Sequence, residues 1–293
     1  MKIAHVINIF TPDYQSDLYI AQPITLESMH VAHDFASGKV DVTLYSANFK
    51  EDDNIIPDYF NKTNRLERSV LDVYKFEKQK KLPLIKDILT SLYNASDADY
   101  FIYTNNDIIL QPFFYVGVKQ IIDKGYDAFI INRRRIHSGF SNVDELPQIY
   151  AETGKKHPGF DCFVFKRDIF PKMQLGNICI GVPFIGVTLA HNLFCFARQF
   201  KLFDNLHLTA HIGMEIMGLR NEYYWHNRNE FNKIIITLKP YIDIRKFPYA
   251  EESLFKRYIN WGLNPSLFVF MNMRLELANV MKAVRRRFNR FFV

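Results

Sequence analysis

Several familiar signatures are missing from this chain. No G-x-G-x-x-G follows the first apolar run and no G-x-x-x-x-G-K-[ST] occurs anywhere, which removes a classical dinucleotide site and a phosphate-cradling glycine loop. Cysteine is scarce: Cys162, Cys179 and Cys195 are odd in number, lack C-x-x-C spacing and lie within apolar runs. They read as reduced core residues of a cytoplasmic protein, not as a disulfide or zinc framework. The amino terminus, MKIAHVINIF, has one Lys and an apolar run too short for a secretory signal, and reads as a first strand. Charge is absent from Met173 to Ala197, about 25 residues, a length that spans a bilayer. Gln174, Gly176, Asn177, Gly181, Pro183, Gly186, His191 and Asn192 interrupt that run, and polar groups in hydrocarbon are costly, so a loop followed by a buried helix from about Pro183 is expected. There is neither an internal repeat nor a low-complexity tract.

What the chain has in surplus is aromatic residues and, at one end, positive charge. Its 293 residues include 27 Phe and 16 Tyr, a surplus that stacks sugars or sits at membrane interfaces. The net charge of +6 gathers in the last stretch and argues for an anionic partner there. From Met271, Leu277, Val280, Met281, Val284, Phe288 and Phe291 form an apolar stripe, with Lys282, Arg285, Arg286 and Arg290 on the other face. That pattern suits a helix on an anionic membrane surface, and equally one packed on the protein's own core or on a second subunit in an oligomer. Nucleic acid is not expected, since no recognised module accompanies the basic face.

The first half alternates strands and helices: strand Ile3 to Phe10, helix Pro23 to Phe35, strand Val40 to Ala47, a polar loop from Asn48 to Arg68, and a third strand Val70 to Phe76. Leu82-Pro83 then opens a helix with Leu84, Ile85, Ile88, Leu89 and Leu92 in one stripe. The next strand belongs to the most informative segment, Tyr100 to Leu110, YFIYTNNDIIL. A further helix ends near Gly125, followed by strand Asp127 to Asn132. This order predicts an α/β fold with a mostly parallel central sheet flanked by helices, and a helical C-terminal extension. Ligands of such sheets bind at the carboxyl ends of the strands, where Asn105-Asn106-Asp107 would stand. A carboxylate there needs a cation or water, although Asn and Asp at such a place also cap a helix, here one beginning near Gln111 and Pro112.

TNNDI after an apolar strand, IINRRRI at the next, HPGFDCFVFKR, and the late LTAHIG occur in an order that resembles GT-A-type glycosyltransferases of the surface-polysaccharide type, over approximately Met1 to Tyr224. The resemblance implies a nucleotide-sugar and acceptor-binding domain over residues 1–240, with 241–293 as the extension. It implies transfer of a sugar from a nucleoside-diphosphate sugar to a hydroxyl of a glycan or lipid-linked acceptor in cell-surface polysaccharide assembly. The place would be the cytoplasm, peripherally on the inner face of the cell membrane. Mn²⁺ or Mg²⁺ would be held by Asp107, Asn105 and His211, with Asn105 standing where the family carries a first Asp. Phe10, Ser46, Lys86, Asn105, Asn106 and Arg134 would contact the donor, and Arg133 or Arg134 would steady the leaving diphosphate. Phe160 would stack on a pyranose, and Asp161 is the candidate base, Glu215 a second one. The family's usual position for that base aligns with Pro183 to Gly186, where this chain has no acid. His207 and His211 are four apart, but Leu208 stands where H-E-x-x-H needs Glu, which removes the zinc-protease pattern. Two alternatives stay open: a non-catalytic binding protein on the same fold, marked by Asn105, and a metal-dependent hydrolase using His207, His211 and Asp107.

Overall fold

A computed structural model describes residues 1–157, 159–212 and 220–263. Eleven strands run in the order β1 (Lys2–Ile7), β2 (Asp41–Ser46), β3 (Asn61–Lys62), β4 (Tyr100–Thr104), β5 (Ile109–Leu110), β6 (Ala128–Ile131), β7 (Arg134–Ile136), β8 (Lys155–Lys156), β9 (Cys162–Lys166), β10 (Phe200–Phe203) and β11 (Thr209–Ile212). The helices are α1 (Leu18–Ala36), α2 (Ile85–Ala95), α3 (Phe114–Asp123), α4 (Leu146–Ala151), α5 (Ile185–Phe196), α6 (Glu222–Leu238) and α7 (Leu254–Leu263).

Seven strands form the main sheet in the order β10-β6-β9-β4-β1-β2-β3, all parallel except β9, which runs antiparallel between β6 and β4. The strand pleat divides the interior in two. Ala4, Val6, Phe101, Tyr103, Ala128, Ile130, Phe163 and Phe165 face a core shared with α2, α5 and α6. Their alternate neighbours, among them Ile3, Ile7, Ile102, Phe129, Ile131 and Val164, face a second core with α1 and α3. Because both faces are covered, the central strands read as continuous apolar runs. Much of the aromatic surplus lies in these cores, as in the edge-to-face pair Phe101–Phe165 at 6.1 Å between centroids.

The chain lays β2 and β3 to one side of β1, then returns to place β4 on its other side. The crevice between the carboxyl ends of β1 and β4 is therefore the topological switch point, where open α/β sheets bind ligands. A smaller sheet, β5-β11-β7-β8, stands over that edge.

Three expectations are corrected. Val70 to Phe76 is no strand: Ser69 and Asp72 form a capping box that winds Val70–Asp72 into a 3-10 turn, while Val70 and Phe76 plug a small cluster with Leu84, Cys179 and Tyr223. Helix α1 begins at Leu18, with Pro23 in its second turn. Asn105 to Asp107 cap nothing, because β5 intervenes before α3. The uncharged run after Met173 contains only the twelve-residue α5, and among the described residues no helix is long and apolar enough to cross a membrane. All three cysteines are free thiols. Beyond residue 240, Phe247 and Trp261 return to the main core. The basic stripe from Met271 lies outside the described residues.

Two histidines are buried neutral in the cores. His5 lies between the Tyr115 hydroxyl and Thr104 Oγ1, each at 2.9 Å, and His191 Nδ1 is 2.6 Å from the Val187 carbonyl oxygen. Burial lowers their pKa values to about 3 and about 4. The unfolded chain takes up protons below pH 6.5 that the fold refuses, so stability is complete above that pH and falls as pH drops towards 4. Each histidine should cost about 2 kcal/mol between pH 7 and 5. Urea unfolding at the two pH values should record this loss, and His5→Gln should remove roughly half of the slope; an unchanged midpoint would contradict it.

Candidate functional site

Each central parallel strand ends at an asparagine: Asn8 after β1, Asn48 just beyond β2, Asn105 after β4 and Asn132 after β6. Short amides there bond neighbouring loops across the strand ends. Asn8 Nδ2 donates to the Ala47 carbonyl at 2.7 Å, and Asn48 Nδ2 to the Phe49 carbonyl at 2.8 Å and Asp53 Oδ1 at 2.9 Å. Asn106 Nδ2 donates to the Asn8 carbonyl at 3.2 Å and to Gln22 Oε1 at 2.9 Å, and Gln22 Nε2 donates to the Phe10 carbonyl at 2.8 Å. Asn106 and Gln22 thus tie the segments after β1 and β4 to α1. Asn106 acts as a clip, and Phe10 stays half-buried beside it. Ser46 is fully buried, its hydroxyl donating to Asn48 Oδ1 at 3.5 Å, so it supports the edge from beneath. Lys86 is exposed in the first turn of α2, whose start lies at this same edge because α2 precedes the parallel strand β4.

The crevice floor is set by β9. Cys162 lies opposite both Thr104 and Ile131, so Asp161, one residue before it, arrives between the loops after β4 and β6. There it pairs with Arg133, which is 2% exposed. Of Arg133 and Arg134, either of which the sequence offers to a diphosphate, the structure buries Arg133 against Asp161, because a carboxylate at that depth requires a partner. Asp161 is correspondingly committed as an ion-pair partner, which argues against its service as a base. His157 Nδ1 accepts from Gly159 N–H at 3.0 Å and lies 3.9 Å from Asp161 Oδ2. Phe160 is buried and packs edge-to-face on Phe194, so it presents no face for a sugar. Gly186, at the start of α5, faces its carbonyl: an added Cβ would sit 2.6 Å from that oxygen. Arg134 donates to the carbonyls of Thr153 and Gly154 and to Asn205 Oδ1, a strut between loops, not a donor contact.

Asp107 and His211 do meet. Strand β11 pairs with β5 so that Ala210 lies opposite Ile109, and continuing that register brings residue 107 alongside 211 and 212. His211 Nε2 lies 3.3 Å from Asp107 Oδ2, and both side chains are partly open to solvent. Burial raises the Asp107 pKa, but the His211 hydrogen bond and charge and then the Arg133 guanidinium outweigh it, leaving the carboxyl below its usual value. Asp107 Oδ1 and His211 Nδ1 are buried without a protein partner. An orphaned buried polar atom costs about 1–3 kcal/mol, and two in one contact pair call for a ligand or water.

Asp107 and His211 fit a hard divalent cation in part. A carboxylate oxygen and an imidazole nitrogen form an acceptable mixed set, and the 3.3 Å between Asp107 Oδ2 and His211 Nε2 is near the roughly 3 Å edge of an octahedron with ligands at about 2.1 Å, while Oδ1 and Nδ1 are the atoms without a protein partner. Among the described residues no group of three or more His, Cys, Asp or Glu converges on a metal position; Mg²⁺ usually completes its shell with phosphate and water. Asn105 Oδ1 accepts the Tyr103 hydroxyl at 3.0 Å, which occupies one of the two lone pairs of that oxygen. Burial, and then the Asp107 charge, push the Tyr103 hydroxyl well up, so it stays protonated and remains a donor. Held in this orientation, Asn105 keeps its Nδ2 hydrogens as donors. His207 is held by Gln111 Nε2 at 3.0 Å, and no zinc cluster forms with it among the described residues. Glu215 lies outside the described residues.

Sequence reasoning missed Gln22, Tyr103 and Asn132, whose buried Oδ1 also has no partner. The repeated strand-end asparagines were a usable signal; Gln22, an ordinary helical residue by pattern, had none.

No protein-family model and no curated protein sequence matches the chain. It is similar in fold to S. aureus TarS residues 1–349 in complex with UDP-GlcNAc, at 9% identity over 89% of this chain and 79% of that one, with a TM-score of 0.44. It is also similar to glucosyl-3-phosphoglycerate synthase from Mycobacterium tuberculosis in complex with Mn²⁺, UDP-glucose and phosphoglyceric acid, at 14% identity over 83% of this chain and 80% of that one, with a TM-score of 0.45. A likeness of this degree extends to helices layered on a sheet, not to the residues of a site.

The buried pair Arg133–Asp161 should behave as a strut. Arg133→Met should cost about 3–5 kcal/mol by removing the guanidinium from a buried carboxylate, and Arg133→Met with Asp161→Leu should recover most of it. Urea unfolding checks both; a single variant within 1 kcal/mol of the wild type would contradict it.

Proposed function

We propose that the chain is a glycosyltransferase that binds a nucleoside-diphosphate sugar at the crevice between β1 and β4 and transfers the sugar to a hydroxyl of a glycan or lipid-linked acceptor. The observation that carries this is the Asp107–His211 pair, partly open, with one further buried, unpartnered polar atom on each residue at the switch point. Asp107 and His211 would hold Mn²⁺ or Mg²⁺. A divalent cation there supplies positive charge to the departing diphosphate. Asn105, fixed by Tyr103, donates its amide hydrogens to a ligand oxygen, a contact open to a hydroxyl or a phosphate. Lys86 approaches from the first turn of α2, where a helix amino terminus also favours an anion. We place the enzyme in surface-polysaccharide assembly at the inner face of the cell membrane, because the basic carboxyl-terminal stretch suits an anionic surface.

A second reading, sugar-nucleotide binding without transfer, is favoured by one observation: the sequence's first candidate base, Asp161, is committed to Arg133. Release of nucleoside diphosphate from its sugar donor over a panel of acceptors separates the two readings.

A thermal-shift screen of common nucleoside diphosphates with Mn²⁺ should raise the melting temperature by roughly 5–10 °C at a hundredfold excess over Kd. Asp107→Ala should abolish the shift; no shift with any of them would sink the proposal. Asn105→Asp adds a second carboxylate and should tighten binding of Mn²⁺ alone about tenfold, read by calorimetry.

A further inference from the structure

We infer that the outward face of α7 is a membrane-contact surface that seats the chain on an anionic bilayer. This deepens the membrane placement proposed above and is independent of the nucleotide site.

Helix α7 is amphipathic with its apolar side turned out. Arg257, Asn260 and Trp261 turn inward: Arg257 donates to the carbonyls of Ala250 and Glu252, Asn260 Nδ2 donates to Glu252 Oε2 at 2.7 Å, and Trp261 Nε1 donates to the Pro248 carbonyl at 2.6 Å. Trp261 is buried beside Phe247. The opposite face carries Leu254, Phe255, Tyr258 and Ile259, which are 67, 77, 58 and 42% exposed. Positions i, i+1, i+4 and i+5 are neighbours on a helix, so these four side chains form one continuous stripe. Their exposure is more than scattered surface hydrophobicity, since two aromatic and two aliphatic residues stand together on a helix whose Arg257, Asn260 and Trp261 bond inward.

Charge decides the occupant. Residues 264–293, which follow α7 directly, hold Arg274, Lys282, Arg285, Arg286, Arg287 and Arg290 against a single acid, Glu276. A second copy seated on the α7 stripe would bring two such stretches together and repel. An anionic lipid surface neutralises the positive charge and receives Leu254, Phe255, Tyr258 and Ile259 at the level of its headgroups, where aromatic side chains are favoured. Lys256, exposed beside the stripe, suits the same surface.

The test is co-sedimentation of the full chain with vesicles of phosphatidylcholine alone and of phosphatidylcholine with about one third phosphatidylglycerol, an anionic content that gives a strong surface potential. The chain should bind the anionic vesicles only, and less at high salt. Leu254→Ser with Phe255→Ser should lower the vesicle partition coefficient at least tenfold, and Tyr258→Ser with Ile259→Ser, on the next turn of the same face, should do likewise. Both double variants should keep the wild-type nucleoside diphosphate thermal shift, and a chain that shows no such shift but still loses vesicle binding on substitution supports the inference while sinking the sugar-transfer reading. Three results overturn the inference: no binding of the wild type to anionic vesicles, unchanged binding of either double variant, or a wild-type dimer in solution that the variants convert to monomer.

Discussion

The site depends on the reversed direction of β9. Cys162 must sit level with Thr104 on one side and Ile131 on the other, and the residue before it must then enter the crevice from above. That residue is an aspartate, and a buried carboxylate without a cation is untenable, so Arg133 folds in to meet it. With that pair closed, the polar groups left facing outward are those of the next layer: Asp107, His211 and the amide of Asn105. One register choice therefore separates a structural ion pair from a pair of side chains turned to the crevice.

The layering follows from strand composition. Runs such as AFII and FIYT are apolar on both faces because each strand divides its side chains between two cores, and such strands belong inside a sheet covered by helices on both sides. The small sheet adds what the main one lacks. Pairing β11 with β5 carries a histidine from late in the chain to an aspartate met a hundred residues earlier.

Much of this was legible in the sequence. The order of strands and helices, the buried helix after Pro183, the isolated cysteines and the placement of Asp107 at a strand end all follow from apolar periodicity and turn chemistry. The meeting of His211 with Asp107 was an expectation drawn from the resemblance, and local pattern alone did not contain it. Val70 to Phe76 misled because apolar residues at strand-like density were anchors for a loop, with Ser69 and Asp72 deciding the backbone. Arg133, Arg134 and Asp161 misled in another way: composition shows that charge is present near a site, but not whether two charges answer each other. Phe160 was read as a sugar platform because sequence reports an aromatic ring and not the Phe194 ring already packed against it. Tyr103 escaped notice because a tyrosine in an apolar strand looks like core, and its body is; only its hydroxyl reaches the site.

The position of β9 also bears on how the chain is made. Strands β4 and β6 are both synthesised before residue 162, yet they are not neighbours, and the space between them fits one strand. Until the ribosome has released the segment ending at Lys166, the nascent sheet holds two facing edges with open backbone donors and acceptors. A growing chain in that condition offers a slot for any extended peptide nearby, and premature collapse of β4 onto β6 would shut out the strand that belongs there.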